Sequence, residues 1–146
     1  MTRRRLFSIG YEGRDAAAFV EALTEARASV LVDTRLTPLS RKKGLSKTAL
    51  REACRNAGIE YVHLRPLGNP KDNRASFQNG KVAVGRRNYF AHLNNGSRPA
   101  FDELVALAKR RRVAVMCVES DDERCHRKCI TDQIVAENPQ FEVVNL

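Results

Sequence analysis

The chain has 146 residues, the size of one ordinary domain, and 42% of them are hydrophobic. This composition excludes an intrinsically disordered chain, and no apolar run reaches the about 20 residues that a membrane span needs. Lys and Arg number 26 against 17 Asp and Glu, which gives a net charge of +9. Such a balance favours anionic partners, either small phosphorylated molecules or nucleic acid.

The N-terminal segment is basic but lacks the apolar stretch of a secretory signal. We therefore expect one domain over residues 1–146, located in the cytoplasm, with no membrane partner and no cofactor. In that compartment the four cysteines are expected to be buried, catalytic or metal-binding rather than joined in disulfides. The sequence leaves the oligomeric state open.

The first half of the chain alternates between strands and helices. In chain order it predicts a strand over 6–9, a helix over 16–27, a strand over 29–33, a helix over 47–57 and a strand over 59–64. Asp15 and Ser46 are suitable N-caps for the two helices, and Gly58 is a suitable end for the second.

The pattern weakens in the middle of the chain and then recovers. Residues 65–84 contain Pro, Gly and Asn turn signals and predict no regular element. After them the sequence predicts helices over 85–93 and 97–111, a strand over 113–118, a polar loop over 119–124, a helix over 125–137 and a strand over 141–146.

Strands that alternate with helices of this length imply right-handed crossovers between parallel strands. We therefore predict a three-layer α/β domain, with a mainly parallel sheet of about five strands and helices on both faces. Ligands of such sheets bind outside the carboxyl ends of the strands. This rule selects four segments, which are 10–14, 33–47, 63–69 and 117–127.

The second of these segments predicts an anion site. Asp33 and Arg35 are two residues apart at a strand end, so an ion pair is their plainest interpretation. Beyond them, Ser40, Arg41 and Lys47 lead into a helix start, where cations, a hydroxyl and free N–H groups together bind anions. In this hypothesis Asp33 orients Arg35 or acts as a base.

The fourth segment gathers three of the cysteines around one histidine. Cys117 ends a predicted core strand, and Cys125 begins a predicted helix, where the helix dipole and free N–H groups lower the pKa of a thiol. We therefore predict that Cys117 and Cys125 lie close together and that Cys125 is the more reactive thiol. A disulfide between them requires Cα atoms within about 7 Å. Cys129, one turn further on, is predicted to be buried and inert.

The motifs occur together in one known family. They comprise residues 8–14, 32–35, 38–41, 44–47, 61–64, 67–70, 117–119 and 125–127. On these segments the sequence resembles domain-of-unknown-function family 488, a family of small bacterial and archaeal proteins. The resemblance implies one α/β domain with a site assembled from the same segments, and it supplies no substrate.

Residue chemistry and position select two groups of candidate site residues. The catalytic candidates are Asp33, Glu119, Cys125 and His126, which offer acid/base groups and a nucleophile. The ligand-binding candidates are Tyr11, Arg14, Arg35, Ser40, Arg41, Lys47, His63, Cys117 and Arg127.

Three functions compete. The favoured one is an enzyme that acts on a small anionic ligand, phosphate-like or nucleotide-like, at the carboxyl edge of the sheet. The second is nucleic-acid binding, which the net charge and the basic run 109–112 support, although no recognised binding signature is present. The third is a metal site or a rhodanese-like thiol protein. No metal is expected, because Cys125 and His126 are adjacent on the predicted helix and would not easily face one ion.

Overall fold

The computed structural model describes residues 3–121 and 124–146. Five strands form one sheet in the order β3-β2-β4-β1-β5, and every neighbouring pair is parallel. The strands are β1 (Arg4–Gly10), β2 (Val30–Asp33), β3 (Glu60–His63), β4 (Val113–Cys117) and β5 (Phe141–Asn145). The predicted α/β fold class is confirmed.

Six helices cover the sheet. They are α1 (Ala16–Glu25), α2 (Lys47–Asn56), α3 (Lys71–Gln78), α4 (Val82–Leu93), α5 (Arg98–Arg110) and α6 (Arg127–Glu137). The predicted N-cap Asp15 accepts a hydrogen bond from the Ala18 amide at 2.8 Å. Within the described part of the chain, no helix combines the length and the apolar character needed to cross a membrane.

The two faces of the sheet carry separate hydrophobic cores. On β2, Val30 and Val32 pack in the core that α3, α4, α5 and α6 cover, whereas Leu31 packs in the core that α1 and α2 cover. On β4, Val115 belongs to the first core. Because side chains alternate along a strand, Cys117 projects toward the α6 side and Asp33 toward the α1 and α2 side.

The middle of the chain corrects the prediction of an irregular segment. Residues 65–84 contain a 3₁₀ turn (Arg65–Leu67), all of α3 and the start of α4, which was predicted to begin only at Gly85. The turn signals mark boundaries between these short helices: Pro70 precedes α3, and Gly80, with a φ of +78°, follows it. Helix α3 has one large apolar residue, Phe77. A single such residue cannot produce a hydrophobic pattern of helical period in the sequence.

The last helix starts later than predicted. It begins at Arg127, with His126 at the N-cap, so Cys125 lies in the turn before the helix and not in its first turn. The predicted polar loop ahead of it includes residues 122 and 123, which lie outside the described residues. Ser46 precedes α2 as predicted, but its hydroxyl bonds the backbone of Ser40 instead of capping the helix.

The carboxyl end of β1 lies directly against the loop that follows β4. A Cβ on Gly10 would lie 1.8 Å from the carbonyl oxygen of Glu119. We therefore expect Gly10→Ala to push this loop away and to lower the free energy of unfolding by about 3 kcal/mol, measured by urea denaturation. The control is Gly58→Ala, whose Cβ meets nothing and whose positive φ costs only about 1 kcal/mol. Equal losses in the two variants would contradict the close approach.

Candidate functional site

A fully buried ion pair closes the carboxyl end of β2. The Asp33 carboxylate accepts hydrogen bonds from Nε and Nη2 of Arg35 at 2.8 to 3.1 Å. The Tyr61 hydroxyl donates to the same carboxylate at 2.5 Å. Burial and the Asp33 charge raise the pKa of Tyr61, so its hydroxyl keeps the proton that it donates.

The guanidinium of Arg35, a predicted anion ligand, is held by contacts within the protein. Its third guanidinium nitrogen, Nη1, donates to the Leu45 carbonyl at 2.7 Å, so each nitrogen already has a protein oxygen as partner. The guanidinium lies 5.5 Å from the centre of the buried Tyr11 ring. Asp33 is likewise enclosed, which leaves its carboxylate no room to act as a base on a ligand.

We expect Arg35→Ala to lower the free energy of unfolding by about 3 to 5 kcal/mol, because it leaves the Asp33 carboxylate buried without its partner. Chemical denaturation measures the loss. Adding Asp33→Asn to this variant removes the orphaned charge and should recover part of the stability. Additive losses in the double variant would show that the two side chains are not coupled.

The predicted basic loop is tied to the turn after β1. Lys42 Nζ donates to the carbonyls of Tyr11 and Arg14 at 3.1 and 2.8 Å. Ser40 bonds Ser46, as described above, and Arg41 is exposed. His63 Nε2 lies 2.7 Å from the Arg35 carbonyl oxygen and so supports the segment that follows β2.

A cavity of about 230 Å³ opens at the carboxyl ends of β2 and β4, on the α6 side of the sheet. Among the described residues, its wall is formed by Arg35, Leu36, Thr37, Leu39, Asn69, Arg74, Phe77, Gln78, Cys117, Val118, Glu119, Arg124, Cys125 and His126. The structure thus brings together five of the predicted site residues. Of the other predicted residues, Tyr11, Arg14, Asp33, Ser40, Arg41, Lys47, His63 and Arg127 do not occur among the described residues of this wall.

Cys117 and Cys125 meet in the cavity wall. The structure joins their sulfur atoms in a disulfide, with Cα atoms 7.5 Å apart. The predicted proximity is confirmed, although the Cα separation exceeds the about 4.4 to 6.8 Å that is usual for a disulfide. Cys129 packs in the hydrophobic core as predicted, and burial raises its thiol pKa to about 11.

His126 is oriented by a backbone carbonyl. Its Nε2 lies 3.0 Å from the Thr34 oxygen, which can only accept, so Nε2 carries the hydrogen of the neutral ring. The lone pair of Nδ1 then faces Cys125 Sγ at 3.5 Å. Burial lowers the pKa of His126 to about 4, which makes the ring neutral at pH 7.

Glu119 and Arg127 complete the group around the cysteines. A Glu119 carboxylate oxygen lies 3.2 Å from Cys117 Sγ, and burial raises the pKa of this carboxyl group. Arg127 is buried beneath the cavity, where Nη1 donates to the Glu119 carbonyl at 2.8 Å and Nε donates to Ser8 Oγ at 2.6 Å. Its Nη1 is also 3.7 Å from Cys117 Sγ. Arg127 therefore holds the loop after β4 in place instead of facing a ligand.

The donor atoms of Cys117, Cys125 and His126 all lie within 4.8 Å of one another. The sequence argument held that Cys125 and His126, as neighbours on a helix, would not easily face one ion, whereas the structure brings both close to Cys117. Both precede the regular part of α6, and Sγ of Cys125 lies 3.5 Å from Nδ1 of His126. Two thiols and an imidazole are the donors that zinc prefers.

Sequence reasoning missed Arg74, which lies on α3 and is half-buried in the cavity wall. It also missed Ser8 and the Thr34 carbonyl, which position Arg127 and His126. No sequence signal pointed to Arg74, because α3 itself lacks a helical hydrophobic period. Ser8 lies in one of the motifs that the sequence shares with family 488, and that motif was the sequence signal that could have identified it.

The fold and site define an α/β protein with a cysteine–histidine group at the carboxyl edge of a parallel sheet. The family model described as "Domain of unknown function DUF488" matches residues 15–134, and the chain belongs to this family. The resemblance seen in the sequence is thereby confirmed. No curated protein and no solved structure matches the chain.

Buried neutral His126 makes stability depend on pH. The unfolded chain binds a proton at the ordinary pKa near 6.5, whereas the folded chain binds it only near 4. This difference is worth about 3 kcal/mol, which is fully present above pH 6.5 and is lost as the pH falls toward 4. We expect the melting temperature of wild type to fall more steeply over this range than that of His126→Gln.

The melting curves are recorded with a reductant and a chelator, so that neither a disulfide nor a metal ion alters the group. The same substitution at half-buried His92 is the control and should keep the wild-type profile. A profile for His126→Gln that matches wild type would show that His126 is not held neutral by the fold.

Proposed function

We propose that the protein is an enzyme that acts on a small anionic molecule bound in the cavity. One observation carries this proposal: two cysteine sulfurs joined in a disulfide, a neutral imidazole, a carboxyl group and three arginines line a single cavity at the carboxyl edge of the sheet. Such convergence of reactive and titratable groups in a concave site is typical of an active site.

Arg74 and Arg124 are the proposed anion ligands. Arg74 reaches the wall from α3 and is half-buried, and Arg124 is exposed in the turn before α6. Guanidinium groups bind phosphate or carboxylate through paired, charge-assisted hydrogen bonds. We propose these two arginines in place of Arg14, Arg35, Arg41 and Lys47, which the sequence analysis selected for this role. His126 is neutral and adds no charge to theirs.

The mouth of the cavity is apolar. Leu39 and Val118 are 71% and 40% exposed, the two large apolar side chains that are exposed in the described part of the chain. Both line this cavity. Exposed apolar residues beside polar groups are typical of a ligand site, so the ligand is expected to carry an apolar part next to its anionic group.

Glu119, Cys125 and His126 are the proposed reacting groups. The Glu119 carboxyl group, with its raised pKa, can hold or release a proton at the cavity. Once an external reductant has opened the disulfide, the Cys125 thiol lies beside Nδ1 of neutral His126, which can accept a hydrogen bond from it. Loss of the thiol proton to solvent leaves a thiolate, the form in which sulfur acts as a nucleophile or as a metal ligand. Asp33 is left out of this group because its carboxylate is closed off by Arg35 and Tyr61.

We expect phosphate, sulfate or nucleotides at millimolar concentration to raise the melting temperature of the wild-type protein. Arg74→Ala should weaken this binding by about tenfold or more, since it removes a charge-assisted contact. The control is Arg87→Ala, which removes an exposed cation of α4 that is not among the described lining residues of either cavity. No shift with any anion, or equal loss in both variants, would contradict the proposed ligand site.

Catalysis is tested on the ligands that pass this screen. Each is incubated with the protein, and products are sought by mass spectrometry. Glu119→Gln should keep the anion-induced shift in melting temperature and lose turnover by about 100-fold or more, as expected for a general acid or base. Binding without turnover of any ligand would leave a binding protein and would overturn the enzyme proposal.

A second candidate function rests on the opposite face of the sheet. A groove of about 700 Å³ is lined by four arginines, Arg5, Arg14, Arg27 and Arg112, with Glu25 as the one acidic side chain among its described lining residues. This charge favours the phosphate backbone of a nucleic acid. Oligonucleotide binding measured by fluorescence anisotropy should then weaken steeply with salt and with Arg5→Ala, but not with Arg74→Ala.

A further inference from the structure

The thiols and the imidazole of the cavity are also arranged as metal ligands. We propose that, in the reduced protein, Cys117, Cys125 and His126 bind one thiophilic divalent cation, for which Zn²⁺ is the best match. This inference shares with the proposed function the cavity that the ion would face. The donor atoms of the three residues lie within 4.8 Å of one another, and all three residues are buried.

The orientation of His126 is the first support. A histidine that binds a metal through one nitrogen commonly donates the other N–H to a carboxylate or a backbone carbonyl, which fixes the ring. Here Nε2 is held by the Thr34 carbonyl at 3.0 Å, and Nδ1 faces Cys125 Sγ. The imidazole is therefore already turned so that its lone pair points to the sulfur atoms.

The spacing of the cysteines is the second support. Their Cα atoms are 7.5 Å apart, wider than a direct sulfur–sulfur bond usually spans. Two thiolates that share a tetrahedral zinc ion, each about 2.3 Å from it, lie further apart than two bonded sulfurs, so they suit a wider backbone separation. Binding of the ion and formation of the disulfide exclude each other because both use the same sulfur atoms.

The groups around the sulfur atoms are the third support. The Arg127 amide lies 3.5 Å from Cys125 Sγ, and its guanidinium lies 3.7 Å from Cys117 Sγ. Donors of this kind stabilise metal-bound thiolates from the outer shell. Catalytic zinc sites have three protein ligands, as this group does, and leave the fourth coordination position to water or substrate. Glu119, beside Cys117, is placed to exchange a proton with such a water.

The protein is first reduced with a phosphine, which converts the disulfide to two thiols as the phosphine becomes its oxide with oxygen from water. It is then freed of metal and titrated with Co²⁺ as a spectroscopic probe. We expect one equivalent to bind, with thiolate-to-cobalt charge-transfer bands and the intense visible bands of a tetrahedral ion. One equivalent of Zn²⁺ should displace it.

Cys117→Ser, Cys125→Ser and His126→Gln should each weaken the binding by more than about 100-fold, beyond the loss caused by removing an outer-shell partner. The matched controls are Cys54→Ala and Cys129→Ala. Both cysteines are buried in the hydrophobic cores and neither is among the clustered donors, so these variants should leave the spectrum unchanged. If a ligand variant does not fold, alkylation of the wild-type protein decides: Zn²⁺ should protect Cys117 and Cys125 and leave the labelling of the other two unchanged.

A reduced protein with no charge-transfer band, or with equal affinity in the ligand variants and the controls, overturns the metal site. If anions still stabilise that metal-free protein, the proposed anion site stands without the metal. In the opposite outcome, the protein binds one equivalent of the ion but no anion stabilises it. The metal site then holds and the proposed function fails.

Discussion

The strict alternation of side chains along β2 and β4 is the constraint on which the arrangement of the carboxyl edge depends. Asp33 and Met116 are register partners, and Cys117 is one residue beyond Met116. This single step sends the carboxylate to one face of the sheet and the sulfur to the other. The edge therefore has a structural face, where a buried ion pair closes the loop, and a chemical face, where the cavity opens.

On each of these faces, a buried arginine donates a hydrogen bond to a backbone carbonyl of a neighbouring loop. Arg35 donates to the Leu45 carbonyl ahead of α2, and Arg127 donates to the Glu119 carbonyl after β4. Each guanidinium thus fastens a loop that follows a strand. Burial of such a charge is costly, and the cost is offset only when hydrogen bonds are complete. These hydrogen bonds fix the loops, and a reacting group such as Glu119 must be held in place.

Much of this arrangement follows from the sequence by simple rules. Apolar runs identified the strands, the alternation of elements identified a parallel sheet, and the parallel sheet placed Cys117 near Cys125. The sequence analysis assigned both an ion pair and an anion site to Arg35, and the structure shows the ion pair with Asp33. Strand alternation alone could have separated Asp33 from Cys117, since it needs only the register of two neighbouring strands.

The remaining errors have a different origin. Arg74 lies on a helix with one large apolar residue, so hydrophobic periodicity could not detect the element that carries it. The geometry of Cys125 and His126 depended on whether α6 begins at residue 125 or at 127, a difference that sequence patterns do not resolve. The regular part of α6 begins at Arg127, and Sγ of Cys125 and Nδ1 of His126 lie 3.5 Å apart just before it.

The state of the thiols sets the charge of the cavity. His126 is neutral at pH 7, so the negative charge there comes from Glu119 and from any thiolate. In the disulfide the sulfurs carry none, and with a bound divalent cation two thiolate charges are cancelled. Free thiolates, in contrast, oppose the field that Arg74 and Arg124 create for an anion. An anionic ligand would therefore bind best to the disulfide or to the metal-bound form, and its affinity would report which of the three states the protein occupies.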